Sequence, residues 1–144
     1  MPTPAPVADS ALMQRLSDSL VAYYRDFTAA AVKEGLTSTQ ANTLGVLSRG
    51  TATMRELATA LSCDASNVTG VVDRLERRGL VNREPSPTDR RVKHVLLTDE
   101  GRRAITTVRD SMLHTQQGLA SLEAADRDAL YELLGRAFPQ RAEG

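Results

Sequence analysis

The sequence of 144 residues lacks several features on which whole classes of protein depend. It contains a single cysteine, which excludes an intramolecular disulfide framework and a metal cluster built on thiolates. Tryptophan is absent and aromatic residues make up only 3% of the chain, so a core must be built from aliphatic side chains. No apolar run approaches the ~18 residues of a membrane span, and the N-terminal residues do not form the basic and apolar segments of a secretory signal. We therefore expect a cytoplasmic protein.

Net charge is also absent, because 18 lysine and arginine residues balance 18 aspartate and glutamate residues. Neutrality removes the simplest argument for a nucleic-acid partner, which is a globally basic surface. The charges are nevertheless segregated: between Arg74 and Lys93 the chain carries seven basic and three acidic residues, a local charge of +4. A basic stripe on a neutral chain is typical of a surface that binds a polyanion.

The rest of the composition is that of a globular domain, with 41% apolar and 25% charged residues. The length corresponds to one domain that can bury a core. The chain begins with a proline-rich segment that carries no charged side chain before its ninth residue. We expect a flexible arm over residues 1–9, and one domain over residues 10–144.

Helical periodicity and capping residues divide the first half of this domain into four helices. Gly35 is placed as the C-terminal glycine of the first helix. Residues 37–40 and 53–56 have the hydroxyl and the amide or carboxylate of a capping box, and they predict the starts of the second and third helices. Asp64 can cap the fourth helix, which Gly79 ends.

The period of the apolar residues then changes from that of a helix to that of a strand. Residues 80–83 and 91–97 predict the strands of a hairpin, and the proline-rich residues 84–90 predict an extended loop between them. Two short helices joined by a tight turn and followed by such a hairpin are typical of a winged helix-turn-helix. In that fold the second helix fits the major groove of DNA, and the loop contacts the DNA backbone or the adjacent minor groove.

Two further helices complete the predicted fold. Thr98 can cap a long helix over about residues 99–120, and a last helix follows over about residues 124–138. The fold is therefore predicted to be mainly α-helical with a small β-hairpin wing.

The fourth helix carries side chains suited to reading DNA. Its first turns contain short groups that can hydrogen-bond to base edges or allow a close approach. These residues are Ser66, Asn67, Thr69 and Gly70. The basic residues of the stripe can reach phosphate groups. They are Arg74, Arg77, Arg78, Arg83, Arg90, Arg91 and Lys93.

Several segments of the chain resemble the MarR family of bacterial transcriptional regulators. They are Met54–Ala58, Asn67–Val81, Pro85–Arg91 and Leu97–Gly101. The most specific of them is the wing signature, in which Asp89-x-Arg91 is followed after five residues by Leu97-Thr98. The fourth helix departs from the family pattern at Val71, where leucine is commoner, and this change should affect only core packing. The resemblance covers about residues 10–138.

The resemblance implies a homodimeric regulator, usually a repressor, that binds a pseudo-palindromic operator. It implies a reader head over about residues 37–98 and dimerisation helices over about residues 10–34 and 99–139. Arg91 would lie in or near the minor groove, and Asp89 would order the wing by pairing with an arginine.

The resemblance also assigns base contacts to the four small residues of the fourth helix. It makes Thr53 a candidate phosphate contact through its hydroxyl and the N-terminus of the third helix. An effector in this family binds in a crevice between the dimerisation helices and the reader head, and here a small apolar or phenolic effector is expected. The candidate lining residues are Tyr23, Tyr24, Phe27 and, on the fifth helix, His114. Aromatic residues at helical spacing are more often plain core.

Two residues have two interpretations each. Cys63, in the turn of the helix-turn-helix, is either a buried structural thiol or a redox-sensing thiol near the N-terminus of the fourth helix. Asp73 either accepts a hydrogen bond from a cytosine amine or pairs with Arg77 one turn later.

The leading interpretation is a sequence-specific DNA-binding regulator that uses no cofactor and no metal. A winged helix can instead serve as a protein-interaction module, as in anti-repressors, but such a module should lack the wing arginine or an intact basic stripe. An enzyme is a third alternative, for which the chain offers no catalytic motif, since its two histidines lie far apart in sequence and lack partners.

Overall fold

A computed structural model describes residue 1 and residues 4–139 of the chain, so residues 2 and 3 of the predicted arm lie outside the described part. The chain divides into two compact units, Met1–Met112 and a second that begins at Leu113. The helices and strands of the first unit are α1 (Asp9–Lys33), α2 (Ser38–Leu47), β1 (Ala52–Thr53), α3 (Met54–Leu61), α4 (Ala65–Arg77), β2 (Val81–Pro85), β3 (Lys93–Leu97) and α5 (Asp99–Asp110). Those of the second unit are α6 (Leu113–Ala120) and α7 (Ala124–Ala137). No helix in this described part is long and apolar enough to cross a membrane.

The predicted capping boxes open α2 and α3. Thr37 Oγ1 accepts a hydrogen bond from the N–H of Gln40 at 3.1 Å, and the Gln40 side chain accepts one from the N–H of Thr37 at 3.0 Å. Thr53 and Glu56 make the equivalent pair at 3.2 and 2.6 Å. Each box satisfies backbone donors that the first turn of a helix leaves free. Asp64 occupies the N-cap position of α4, but its side chain accepts no capping hydrogen bond, which corrects the expected cap.

Glycines end α1 and α4, as the sequence predicts. Gly35 and Gly79 have φ angles of 68° and 70°, in the left-handed region that glycine adopts without strain. The residues that follow them, Leu36 and Leu80, return at once to the core and are only 2% and 7% exposed. Each glycine therefore turns the chain within one residue of the helix end.

The wing is a three-stranded antiparallel sheet in the order β1-β3-β2. The predicted hairpin of β2 and β3 is confirmed, with Val81 opposite Leu97 and Pro85 opposite Lys93. β1 was not predicted, because it has only two residues and one of them, Thr53, is also the N-cap of α3. By pairing with β3, β1 joins the wing to the start of the helix-turn-helix.

The core of the first unit is aliphatic, as the scarcity of aromatic residues requires. Its largest fully buried apolar side chains come from four helices and two strands. They are Leu44, Leu57, Leu75, Ile105, Val68, Val72, Val81, Val95 and Val108. Burial of each such side chain contributes about 1.5–3 kcal/mol, so this cluster fixes α4 and the wing against the other helices of the unit.

The start of α5 is joined closely to the residues between α4 and the wing. Thr98 donates its hydroxyl to the carbonyl of Gly79 at 2.6 Å and accepts a hydrogen bond from the N–H of Gly101 at 3.1 Å. A Cβ on Gly101 would overlap the carbonyl oxygen of Leu80, so no side chain fits at that position. This close approach fixes α5 against the chain that leads into β2.

The single long helix predicted over residues 99–120 is wrong, because α5 and α6 are separated at Ser111 and Met112. The N–H of Met112 bonds to the carbonyl of Arg109, three residues back instead of four, which tightens the last turn and ends the helix. Met112 is 3% exposed and belongs to the core of the first unit. His114, expected on the fifth helix, consequently lies on α6 in the second unit.

The second unit buries little of its own apolar surface. No residue of α6 or α7 is buried, and the Arg127 guanidinium joins the two helices by donating to the carbonyl of Leu119 at 2.7 Å. Its exposed large apolar side chains are Leu113, Leu119, Leu130, Tyr131, Leu133, Leu134 and Phe138. Two short helices of this kind do not form a core that could sustain them alone.

Candidate nucleic-acid interface

The side chains of α4 point to three sides of the helix, which differ in what they contact. Residues three or four positions apart share a side, because successive residues are rotated by about 100°. Val68, Val72 and Leu75 are fully buried and attach the helix to the core. Asp73 and Glu76 lie on the side of β2, with which they form ion pairs. The remaining face is open to solvent except for the half-buried glycine. It carries Ser66, Asn67, Gly70, Arg74 and Arg77.

Small polar residues begin the open face of α4. Ser66 and Asn67 are exposed, and within the described residues their side chains form no hydrogen bond inside the protein. Thr69 donates its hydroxyl to the carbonyl of Ala65 at 2.9 Å, so its oxygen is left as an acceptor beside its methyl group. An added Cβ on Gly70 would meet nothing within 4 Å, so the packing of the fold does not require glycine there.

Thr53 lies at the N-terminus of α3, where a phosphate contact was expected. Its hydroxyl oxygen already accepts the N–H of Glu56, and the Glu56 carboxylate lies 2.6 Å from the N–H of Thr53. The negative charge of that carboxylate opposes an anion at this helix end. At this helix end only the hydroxyl proton of Thr53 and Arg55, an exposed cation in the first turn of α3, would be suited to a phosphate.

The wing loop folds into a turn at its tip. The carboxylate of Asp89 accepts a hydrogen bond from the N–H of Arg91 at 3.0 Å, and the carbonyl of Asp89 accepts one from the N–H of Val92 at 3.0 Å. Arg90 and Arg91 are thereby the central residues of a β-turn. Buried Ser86 closes the base of the loop by donating its N–H to the carbonyl of Val92 at 2.8 Å. Asp89 binds the backbone of the loop and, among the described residues, forms no ion pair with an arginine.

The seven cations of the basic stripe fall into two groups. Five have exposed side chains and form no ion pair in the part of the chain that the structure describes. They are Arg74, Arg77, Arg90, Arg91 and Lys93. The guanidinium of Arg78 donates to the carbonyls of Gly35 at 2.7 Å and Glu34 at 3.5 Å, and so it caps the end of α1 instead of reaching outward as expected.

Arg83 is the other cation with partners inside the protein. Its Nη2 lies 2.5 Å from Asp73 Oδ1, and its Nη1 lies 2.9 Å from Glu76 Oε1. Burial by itself would lower the pKa of Arg83, but the hydrogen bonds and charges of the two carboxylates outweigh burial and raise the pKa above its ordinary value. Asp73 thus pairs with Arg83 and not with Arg77, whose Nε donates to the carbonyl oxygen of Asp73 at 3.3 Å. No sequence signal indicates this pair, since it forms only when β2 packs beside α4.

A cavity of about 570 Å³ lies between α1, α2, α3 and α5. Three of the aromatic residues singled out in the sequence line it. The ring of Tyr23 stacks on Phe27 with centroids 6.2 Å apart and meets Tyr24 edge-on at 5.9 Å. Phe27 is also a core residue, 4% exposed, so both interpretations apply to it. Arg49 and Arg109 line the same cavity and were not predicted, because helical periodicity does not indicate which helix ends meet.

Cys63 lies in the turn between α3 and α4 and is half-buried. Its N–H bonds to the carbonyl of Ala58 at 3.1 Å, and Met54 and Ala58 line the groove beside it. The preceding residue, Ser62, has a φ of 50°, which makes the turn tight. The thiol packs against the core, as the structural interpretation expects, but it is half-buried and not fully buried.

Comparisons with known proteins agree with this geometry. Residues 34–92 match a family model described as the MarR family. NicR of Pseudomonas putida, an HTH-type transcriptional repressor, is 34% identical over 114 residues, which cover 75% of this chain and 70% of that protein. A putative transcriptional regulatory protein for the hcr operon of Thauera aromatica is 36% identical over 88 residues, which cover 60% of this chain. The matched segment spans only 53% of that second relative.

A solved structure extends the likeness over nearly the whole chain. BpsR of Bordetella bronchiseptica is 25% identical and superposes with a TM-score of 0.63, over 97% of this chain and 99% of that one. The DNA binding of that protein is regulated by 6-hydroxynicotinic acid. The predicted fold class, mainly helical with a small antiparallel wing, is thereby confirmed.

Proposed function

Since the chain belongs to the MarR family of winged helix-turn-helix transcriptional regulators, a family that does not consist of enzymes, we propose that it binds a pseudo-palindromic DNA operator as a homodimer. We propose further that it acts as a repressor and that a small aromatic ligand controls it. The observation that carries the proposal is that both DNA-reading elements, α4 and the wing tip, present exposed cations that form no ion pair among the described residues.

The open face of α4 supports reading of the major groove. The amide of Asn67 can both donate to and accept from one base, and a bidentate pair of this kind is typical with adenine. The hydroxyl of Ser66 can donate or accept a hydrogen bond, and Arg74 and Arg77 supply positive charge for the flanking phosphates. The proposed surface also includes Thr69 and Gly70 on α4, Lys93 on the wing and Thr53 at the start of α3.

The wing tip supports a contact in the minor groove. A β-turn holds Arg90 and Arg91 side by side at its centre, and Asp89 orders the turn through the backbone N–H of Arg91. A guanidinium is well suited to the narrow, electronegative minor groove of A·T-rich DNA. An ordered turn reduces the conformational entropy that is given up when DNA binds.

Exposed apolar side chains support the homodimer. In the first half of α1, Leu12, Met13 and Val21 are exposed by 55%, 72% and 56%. On α7 and just after it, Leu133 and Phe138 are exposed by 56% and 57%. Apolar surface of this extent is rarely left in water by a monomer, and a second copy presents the same helices around a two-fold axis. Two heads on such an axis would read half-sites about one helical turn, roughly 34 Å, apart.

The cavity beside α1 supports an aromatic acid as the ligand. Tyr23 offers a ring face and a hydroxyl, and Arg49 offers a guanidinium group that suits a carboxylate. 6-Hydroxynicotinic acid, which regulates the DNA binding of BpsR, has an aromatic ring, a hydroxyl group and a carboxylate. A molecule at this site would touch four helices, and it would control DNA binding if one arrangement of those helices bound it more tightly than the other.

DNA binding is tested with the purified chain and the duplex upstream of its own gene, by fluorescence anisotropy against a scrambled duplex of equal length. We expect two protomers per operator and a preference for the operator of at least about a thousandfold at physiological salt. Equal affinity for both duplexes would overturn sequence-specific binding, and an absence of DNA binding would favour the protein-interaction module. In a transcription assay, the chain should lower transcription from a promoter that overlaps the operator, whereas an increase would identify an activator.

Ligand control has a separate test. We expect 6-hydroxynicotinate and 4-hydroxybenzoate to raise the melting temperature by mass action and to release the operator, while uncharged 4-hydroxybenzamide does neither. Tyr23→Ala should abolish the shift without loss of operator binding. If neither acid changes melting or DNA affinity, the ligand class is wrong and the DNA-binding proposal still stands.

A further inference from the structure

We infer that Arg83 is a positioning residue: held by the carboxylates of Asp73 and Glu76, it fixes the wing against α4 and does not itself contact DNA. This inference rests on the proposed DNA binding and changes the role expected for Arg83 from the sequence. Asp73, Glu76 and Arg83 are called the wing clamp below.

The wing clamp joins two separate elements by a specific geometry. Asp73 and Glu76 are three residues apart on α4, so their carboxylates project from the same side of the helix. Arg83 lies at the middle of β2, and each of its two Nη atoms takes a different carboxylate, at 2.5 Å from Asp73 and 2.9 Å from Glu76. A planar guanidinium can hold two acids in this way, whereas a single ammonium group lacks the fork.

The same geometry removes Arg83 from the charge available to phosphate. Its side chain is 24% exposed, less than the 47% and 40% of Asp73 and Glu76, so the acids are the more accessible members of the clamp. A phosphate that approached Arg83 would meet two negative charges at close range. Arg74 and Arg77, on the open face of α4, have no carboxylate partner in the described part of the chain.

The position of the clamp along the hairpin explains its effect. Val81 anchors the start of β2 in the core at 0% exposure, and Arg83 follows on the same face of the strand two residues later. The clamp therefore extends the attachment of β2 toward the loop that carries Arg90 and Arg91. Since α4 and the wing must engage different grooves of one duplex, a loosely held wing costs affinity even when every cation remains.

A mutant cycle tests the clamp on the full-length chain. Arg83→Met breaks both ion pairs and should weaken operator binding roughly tenfold, whereas Asp73→Asn leaves the pair with Glu76 and should weaken it less. The double variant should be no weaker than Arg83→Met alone, because that single change already removes both partners of the clamp. Arg83→Met should leave the salt dependence unchanged, whereas the matched control Arg74→Met should lower the slope by about 0.9 for each phosphate that Arg74 neutralises. Glu84→Gln, which removes an acid from the same hairpin outside the clamp, should not weaken binding.

Two further measurements guard against a trivial loss of folding. Arg83→Lys keeps the charge and loses the fork, and it should weaken operator binding with an unchanged salt slope. Without DNA, backbone amides of residues 84–92 should exchange hydrogen faster in Arg83→Met than in the wild type. A reduced salt slope for Arg83→Met, or additive losses in the double variant, would overturn the clamp while the proposed function stands. Failure of the wild-type chain to bind any upstream duplex would overturn the proposed function itself.

Discussion

The carboxylate of Asp89 accepts a hydrogen bond from the backbone N–H of Arg91 at 3.0 Å. The carbonyl of Asp89 closes the turn by accepting the N–H of Val92 at the same distance. Asp89 therefore shapes the wing tip without neutralising the guanidinium that projects from it. An ion pair between the same two residues would have compelled DNA to displace the acid before binding.

Loss of the Asp89 side chain should loosen the turn and keep its cations. We expect Asp89→Ala to weaken operator binding roughly fivefold, the order of one hydrogen bond, although it removes a negative charge. Asp89→Asn should recover most of the affinity, because an asparagine oxygen accepts the same backbone N–H. Titrations by anisotropy measure both variants, and tighter binding by Asp89→Ala would show that the charge of Asp89 matters more than the turn.

Gly70→Ala should change stability and DNA binding in opposite directions. The added methyl group meets nothing within 4 Å in the folded chain, and alanine in a helix interior is favoured over glycine by about 0.5–1 kcal/mol. The variant should therefore unfold at a higher urea concentration and bind the operator more weakly, because the methyl group obstructs the close approach. Unchanged operator affinity would mean that DNA does not approach α4 at Gly70.

Gly101→Ala should destabilise the protein, since its methyl group would overlap the carbonyl oxygen of Leu80. We expect a loss of about 1–3 kcal/mol in the free energy of unfolding. Gly70→Ala serves as the matched control, because it makes the same substitution in a helix where space is open. Urea denaturation at one fixed protomer concentration compares the two. Equal stability of the variants would contradict the close approach of α5 to the chain that leads into β2.

A charge on the exposed face of α7 should separate the proposed dimer. Leu133 is 56% exposed, and Leu133→Asp should raise the dimer dissociation constant at least about tenfold, because a carboxylate would be buried at the interface. Glu132→Gln, the neighbouring substitution on the same helix, should leave the dimer intact. Sedimentation velocity distinguishes the forms. A wild-type chain that sediments as a monomer at micromolar concentration would contradict the homodimer.

Local signals in the sequence predicted most of the helices and strands. They failed where contacts between distant parts of the chain determine an element or its end. Thr37 and Thr53 predicted helix starts correctly because a capping box is complete within four residues. The break at Ser111 and Met112 was missed because periodicity places Met112 on the buried face whether or not the helix continues, and no glycine or proline marks the break. β1 was missed because two residues carry no strand pattern.

In the candidate site too, the sequence indicated local features but not contacts between elements. The small residues at the start of α4 and the arginines of the wing could be identified from their order in the chain. The partners of Arg78 and Arg83 could not, because each lies on another element, at the end of α1 and on α4. Composition alone predicts that both residues are exposed surface charges, whereas the structure shows that each has hydrogen-bond acceptors inside the protein.

The salt dependence of operator binding by Arg91→Ala tests whether the wing tip places the Arg91 guanidinium against the DNA. We predict weaker binding to operator and scrambled duplex alike, with a log–log salt slope lower by about 0.9 for each phosphate that Arg91 neutralises. The control Arg102→Ala, which removes an exposed arginine on α5, should keep the wild-type slope. Binding by Arg91→Ala that matches the wild type in affinity and slope across the salt range would show that Arg91 does not lie against the DNA.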